Sequence, residues 1–273
     1  EFHRGRLADL VALLSGRNFD TRTYEEAIVE DSFAKLKQGF LTFANESRFK
    51  DLMMIIRSAG FVDPGMIGSS NAIVFAYILD HLLKKKDVHH GDIHKYVRRW
   101  LVMSLLTGRH SGGFETRFEQ DARMIMQGDP LIYIDQVFEG ELSDAFWNVV
   151  LPQRLVSSSG NNQFFHIFKA AQVWAHDKGF LSSDIDVETL VKIKSDVHHI
   201  FPKAYLQKHG YVQAQYNQIG NYAIAQSEIN VRISNKEPAV YMAEVQDQVT
   251  NGTKSYGSIM NLMQLAENLC QNC

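Results

Sequence analysis

Cysteine is almost missing: Cys270 and Cys273 are the two in 273 residues, both at the very end. A zinc site would need a second pair, and a redox motif belongs at a strand-to-helix junction, so Cys-Gln-Asn-Cys reads as incidental. No apolar run approaches the roughly 18 residues of a membrane span, and no basic segment leads into an apolar stretch as a signal peptide would. The expectation is a cytoplasmic protein with no membrane partner. Positive charge is not in surplus either, with 28 basic against 31 acidic residues and a net charge of −3. Residues 151 to 273 carry ten of each sign. Bulk charge therefore does not announce a nucleic-acid binder, and phosphate affinity would have to come from local clusters or from another domain. Internal repeats and low-complexity tracts are also lacking.

With 45% hydrophobic residues the chain can bury a sizeable core, as one large or two modest domains. Leu7, Leu10, Val11 and Leu14 recur at helical spacing, and the same period continues over residues 27–43, 51–59, 71–85 and 92–106. Glycine and proline breaks separate these stretches. Residues 114–127 and 131–138 predict two more helices around Gly128-Asp129-Pro130, and 142–150 a further one. A serine-rich loop at 157–162 follows Pro152, and 163–178 reads as a helix. The expected fold is mainly α: an N-terminal helical bundle over residues 1–152, then an α+β domain over 153–273. In the latter, 222–225 reads as a short strand, 203–209 as a short helix, and 239–249 and 258–269 as closing helices.

The most specific feature is Asp196-Val197-His198-His199-Ile200-Phe201-Pro202, with Asn221 about twenty residues on and Asn230 nine further. Cutting a phosphodiester needs an activated water, a cation against the charge on phosphate and leaving oxygen, and fixed geometry for both. Histidine has the right unperturbed pKa to take a proton near neutrality. Asp196 and His198 lie two apart and share one face of a regular strand, whereas His199 points to the other. The backbone is therefore expected to bend if both imidazoles are to meet one phosphate, and Pro202 agrees with an exit from the strand.

This spacing resembles that of a His-Asn-His nuclease, and the segments look like the strand, loop, strand and helix of the ββα-metal fold. The resemblance implies that His199 is the general base, that His198 and Asn230 are metal ligands, and that Asn221 pins the loop that aims the base. Asp196 would support the ligand imidazole or join the set directly. Ser227 would cap the helix that carries Asn230. Mg²⁺ or Mn²⁺ is the implied cofactor; Zn²⁺ or Ni²⁺ would also suit, because an imidazole softens the set.

Asp-Val-His-His-Ile-Phe-Pro-Lys, the run from Asn217 to Asn221, and Ser227-Glu228-Ile229-Asn230 with Ser234 to Pro238 and Tyr241 resemble the nuclease half of GmrSD-type modification-dependent restriction enzymes. The match covers roughly residues 190 to 241. A weaker likeness runs through Arg99-Trp100 and Thr107 to Ser111, with Glu115 and Asp121, to the helical segment after that family's nucleotide-hydrolysing half. Its Asp-Gly-Gln-Gln-Arg motif does not occur here. The resemblance therefore implies a C-terminal fragment of a restriction or antiviral defence protein, acting on DNA with an N-terminal nucleotide-hydrolysing sensor domain as partner. Lys203, Arg232 and Lys236, with Lys192, Lys194 and Lys208, bracket the motif and are the candidate phosphate contacts.

The competing expectation keeps the fold as a non-catalytic DNA-binding or subunit-docking module; RNA is a third substrate that the chemistry does not exclude. Elsewhere, His90 and His94 have helical ligand spacing, but Gly91 is expected to break that helix, which weighs against a metal. Arg98, Arg99 and Arg109 could line a DNA path or a domain interface.

Overall fold

A computed structural model describes residues 29–112, 114–156 and 162–272. The expected helix at Leu7 to Leu14, most of the serine loop and Cys273 lie outside them. The chain is mainly helical and divides into two compact units. One holds the described residues up to Ala59 with Ile67–Phe146; the other holds Gly60–Met66 and everything from Trp147 on.

In the first unit the helices are α1 (Val29–Phe43), α2 (Glu46–Ser58), α3 (Ser70–Lys85), α4 (His90–Thr107), α5 (Phe114–Gln127) and α6 (Pro130–Glu141). Their starts follow capping chemistry. Asn45 and Ser69 accept from the backbone three residues on, and Asp129 caps α6 with Pro130 in its first turn. α3 is buried nearly all round, packing on α2, α4 and α5, while α4 also meets α6. Trp100 is fully buried, stacked on Phe75 with centroids 5.3 Å apart. Gly91 does not break α4, contrary to expectation: it lies in the first turn, capped by His89, where backbone donors have no helical partner to lose. His90 and His94 thus share a face with rings 4.3 Å apart.

Arg109 does not line a surface path. Its side chain is 5% exposed, bonded to Asp121 at 2.6 and 3.1 Å and to Glu141 at 2.5 Å. Arg99 lies over the Phe138 ring and 3.5 Å from Asp135.

The second unit is built around a two-stranded antiparallel sheet, β1 (Asp196–His199) and β2 (Tyr222–Ala225). Before it come a π-helical turn (Phe146–Val150), α7 (Leu151–Leu155), α8 (Gln163–Trp174) and α9 (Val187–Lys192). Between the strands lie α10 (Lys203–Lys208), α11 (Gln213–Tyr216) and a 3-10 turn (Ile219–Asn221); after them come α12 (Ser227–Ile233), α13 (Pro238–Asn251) and α14 (Leu262–Asn272). β2 is buried on both faces and sends alternate residues into two cores. Ala223 and Ala225 join Phe180, Ile229, Ile233, Tyr241, Val245 and Tyr256, whereas Tyr222 and Ile224 join Phe165, Val187 and Leu190.

Buried amides fasten the loops around the first of these cores. Gln248 accepts from the Ser255 and Tyr256 amides and donates to the Tyr256 and Ile259 carbonyls. Asn268 accepts from Leu181 and donates to Gly179 and Ser182. Gly257 completes the closure: at φ +47° a side chain there would place Cβ 2.0 Å from the Leu181 carbonyl oxygen.

Candidate metal and phosphate site

The register places His198 opposite Ala223 and His199 opposite Tyr222. Paired residues across a ladder lie on one face, so Asp196 and His198 face the core of Phe180 and Tyr241, while His199 faces the other. No bend interrupts Asp196–His199, and the chain leaves the strand only at Ile200. The expected distortion between the histidines is absent, because all four residues pair with β2 and a kink would break that ladder.

His198 is 2% exposed and stacked on Phe180 at 5.4 Å, with the Tyr241 ring edge-on. Its Nδ1 lies 2.8 Å from Asn230 Oδ1, and Asn230 Nδ2 donates to Asp196 Oδ2 at 3.3 Å. Three of the expected residues are thus brought together: two from alternate positions of β1 and one from α12. Ser227 does not cap that helix. It is the first helical residue, and Gln226 occupies the cap position without a side-chain bond. Burial holds the His198 imidazole below its usual pKa, with the neighbouring His199 adding to this and the Asn230 bond opposing it. Burial thus favours the neutral ring. Its Nε2 is buried without a hydrogen-bond partner among the described residues.

His199 is half-buried, edge-on to Tyr222 at 5.1 Å, and its Nε2 lies 2.9 Å from Asn217 Oδ1. With the amide oxygen accepting, Nε2 carries the proton and Nδ1 keeps its lone pair. The sequence gives Asn217 no role, because an amide four residues before Asn221 has no periodic signature. Asn221 bonds to neither imidazole. It is buried, its Oδ1 accepts from the Phe201 amide at 2.7 Å, and its Nδ2 donates to the carbonyls of Phe201 at 3.1 Å and Tyr216 at 3.0 Å. Its backbone carbonyl takes the Ile200 amide, and Tyr241 Oη donates to the Ile200 carbonyl at 2.7 Å. The turn out of β1 is pinned at four backbone groups.

The basic rim is divided. Lys203 is exposed, 5.7 Å from the Tyr216 ring. Arg232 donates to the Ser255 carbonyl at 2.6 Å and lines a cavity of about 280 Å³ with Lys254, Glu228 and Asp184. Lys236 is tied to Glu244 and Tyr256, both at 2.6 Å, so its charge is neutralised within the protein. Lys192 is likewise paired with Glu188.

Among the described residues no group of three or more His, Cys, Asp or Glu gathers as a metal site. The Asp196, His198 and Asn230 set offers two of those types and an amide oxygen. Its donor chemistry suits a hard or borderline divalent ion. The 2.8 Å between His198 Nδ1 and Asn230 Oδ1 matches adjacent ligands on an octahedral ion, which at metal distances of about 2.1 Å sit about 3.0 Å apart. With Nδ1 turned to an ion, the ring proton would sit on Nε2, which has no acceptor among the described residues.

No family model and no solved structure matches the chain. An uncharacterised protein of the archaeon Methanocaldococcus jannaschii is 24% identical over 153 residues, covering 55% of this chain and 25% of that protein. The chain thus spans about a quarter of the length of the curated relative it matches.

Proposed function

We propose that the second unit is a metal-dependent endonuclease domain of the ββα-metal type, hydrolysing phosphodiester bonds in DNA. The observation that carries this reading is the side-chain chain Asp196, Asn230, His198 on one face of β1, with His199 next in sequence on the other. Among the described residues β1 pairs along one edge, with β2. In this reading the phosphate lies over the other edge, where the two faces meet, and the opposed imidazoles act from either side of it without a bend.

In this reading His199 takes a proton from water at Nδ1. Asn217 fixes that tautomer by accepting from Nε2, as partners of catalytic histidines do. Asn221 holds the exit turn and hence the plane from which His199 projects. Asp196, His198 and Asn230 would hold a Mg²⁺ or Mn²⁺ ion, with Zn²⁺ or Ni²⁺ as softer substitutes. When bound, the ion neutralises charge on the phosphate and the leaving 3′ oxygen. Lys203 is the rim cation best placed to meet the backbone, since Lys236 is already paired.

One such site cuts one strand, so a monomer nicks. The likeness to modification-dependent restriction enzymes suggests a defence role in the cytoplasm, with nucleotide hydrolysis in a separate domain. Incubating supercoiled plasmid with the chain in Mg²⁺, Mn²⁺ or EDTA tests the reading: open circles form with metal and not with EDTA. Cleavage that persists in EDTA would overturn the metal-dependent mechanism.

A further inference from the structure

Phe201 is two residues past His199 and 49% exposed, and it makes no ring contact with another described residue. A lone exposed apolar side chain is ordinary on a protein surface. What sets this one apart is the backbone beneath it. Its amide is fixed by Asn221 Oδ1 and its carbonyl by Asn221 Nδ2. The preceding Ile200 has both backbone groups bonded and its side chain packed against the Tyr241 core. The following Pro202 is buried. The chain thus anchors both neighbours and leaves the phenyl ring facing solvent, next to the exposed Lys203.

An exposed aromatic on a fixed backbone, beside an exposed cation, is a pairing that holds an unstacked nucleobase: the ring takes the base face and the cation takes the adjacent phosphate. We infer that Phe201 is a stacking platform for an unpaired base flanking the scissile phosphate, and that it biases this domain toward nucleic acid with a locally opened strand. The inference rests on the nuclease reading and adds to it a specificity-determining residue. It also assigns the Asn221 clamp a second purpose, the aiming of this ring.

The test uses the full chain carrying His199→Ala, so that bound probes survive, with fluorescent DNA duplexes that are fully paired or carry one unpaired nucleotide. Adding Phe201→Ala is expected to weaken binding of the unpaired probe by roughly 5- to 150-fold, the range of one base–aromatic stack, with an unchanged salt dependence. Adding Lys203→Ala instead lowers the salt slope by about one. Adding Phe201→Trp retains affinity, and its emission, read against the parent's, is quenched by the unpaired probe. Equal affinity of the Phe201→Ala variant, or an unquenched tryptophan, overturns the inference while leaving the nuclease reading standing. A His199→Ala parent that binds neither probe overturns both.

Discussion

Replacing Asn221 with alanine tests the physical core of the account without assuming any activity. The side chain makes three hydrogen bonds to backbone groups, at 2.7, 3.1 and 3.0 Å, and is 8% exposed. Each is worth about 0.5–1.5 kcal/mol net, and a buried group left unpaired costs about 1–3 kcal/mol. The bond to the Tyr216 carbonyl is fully buried, whereas water can reach the two at Phe201 once the amide is gone. The expected loss is therefore roughly 2–4 kcal/mol, near the sum of three ordinary bonds and below three unsatisfied ones. Urea unfolding reads that loss, and hydrogen exchange reads where it falls: the Phe201 amide should lose protection ahead of the β1 ladder. Asn221→Asp keeps an acceptor for Phe201 but turns a carboxylate on two carbonyls, so it should be no better than alanine. A loss under about 0.5 kcal/mol with the Phe201 amide still protected would refute the clamp.

Asn217→Ala removes the partner that sets the His199 tautomer; cleavage should fall about 10- to 100-fold in kcat with little change in KM, as for other groups that orient a functional histidine. Arg109→Ala leaves Asp121 fully buried with the Tyr133 hydroxyl donating to it at 2.7 Å. Denaturant unfolding should show a loss of about 3–5 kcal/mol, against almost none for Lys50→Ala in the exposed Glu46 pair. Burial is the main cause that lowers His81 and His110 to about 3, so both stay neutral in the fold while the unfolded chain takes up protons below about 6.5. Their contribution is intact above pH 6.5 and is lost as pH falls toward 3. Moving from pH 7.5 to 5.5 should cost about 1.4 kcal/mol per histidine, and His110→Gln should flatten its share of the slope.

Much of the fold was legible in residue patterns. α5 and β2 fall at the expected residues, and most other expected helices differ at ends set by caps such as Asn45, which adds a turn before the apolar period begins; the short α9 and α11 were not expected, and the helix expected over 142–150 is a π-helical turn that continues as α7 through Pro152. Gly91 misled because a glycine in the first helical turn costs little there, a distinction of position that periodicity does not carry. The candidate site was legible as a set of residue types, and Asp196, His198 and Asn230 do converge. The opposed faces of the two histidines follow from strand alternation and are observed, but the absence of a bend between them was not legible, because it depends on the register with Tyr222 and Ala223, a contact more than twenty residues away. The amides Asn217, Gln248 and Asn268 went unread for a related reason. A polar side chain looks like surface until the groups it bonds, the His199 ring for Asn217 and distant backbone for Gln248 and Asn268, are in place.

The most direct test of the central claim separates the base from the ligands. Mn²⁺ binding, followed by loss of the free-ion paramagnetic resonance signal, and plasmid nicking are measured together on wild type, His199→Ala and Asn230→Ala. Wild type is expected to bind Mn²⁺ and nick, His199→Ala to bind Mn²⁺ without nicking, and Asn230→Ala to lose both. Wild-type chain that neither binds Mn²⁺ nor nicks, or an Asn230→Ala variant that binds and nicks as wild type does, would contradict the claim.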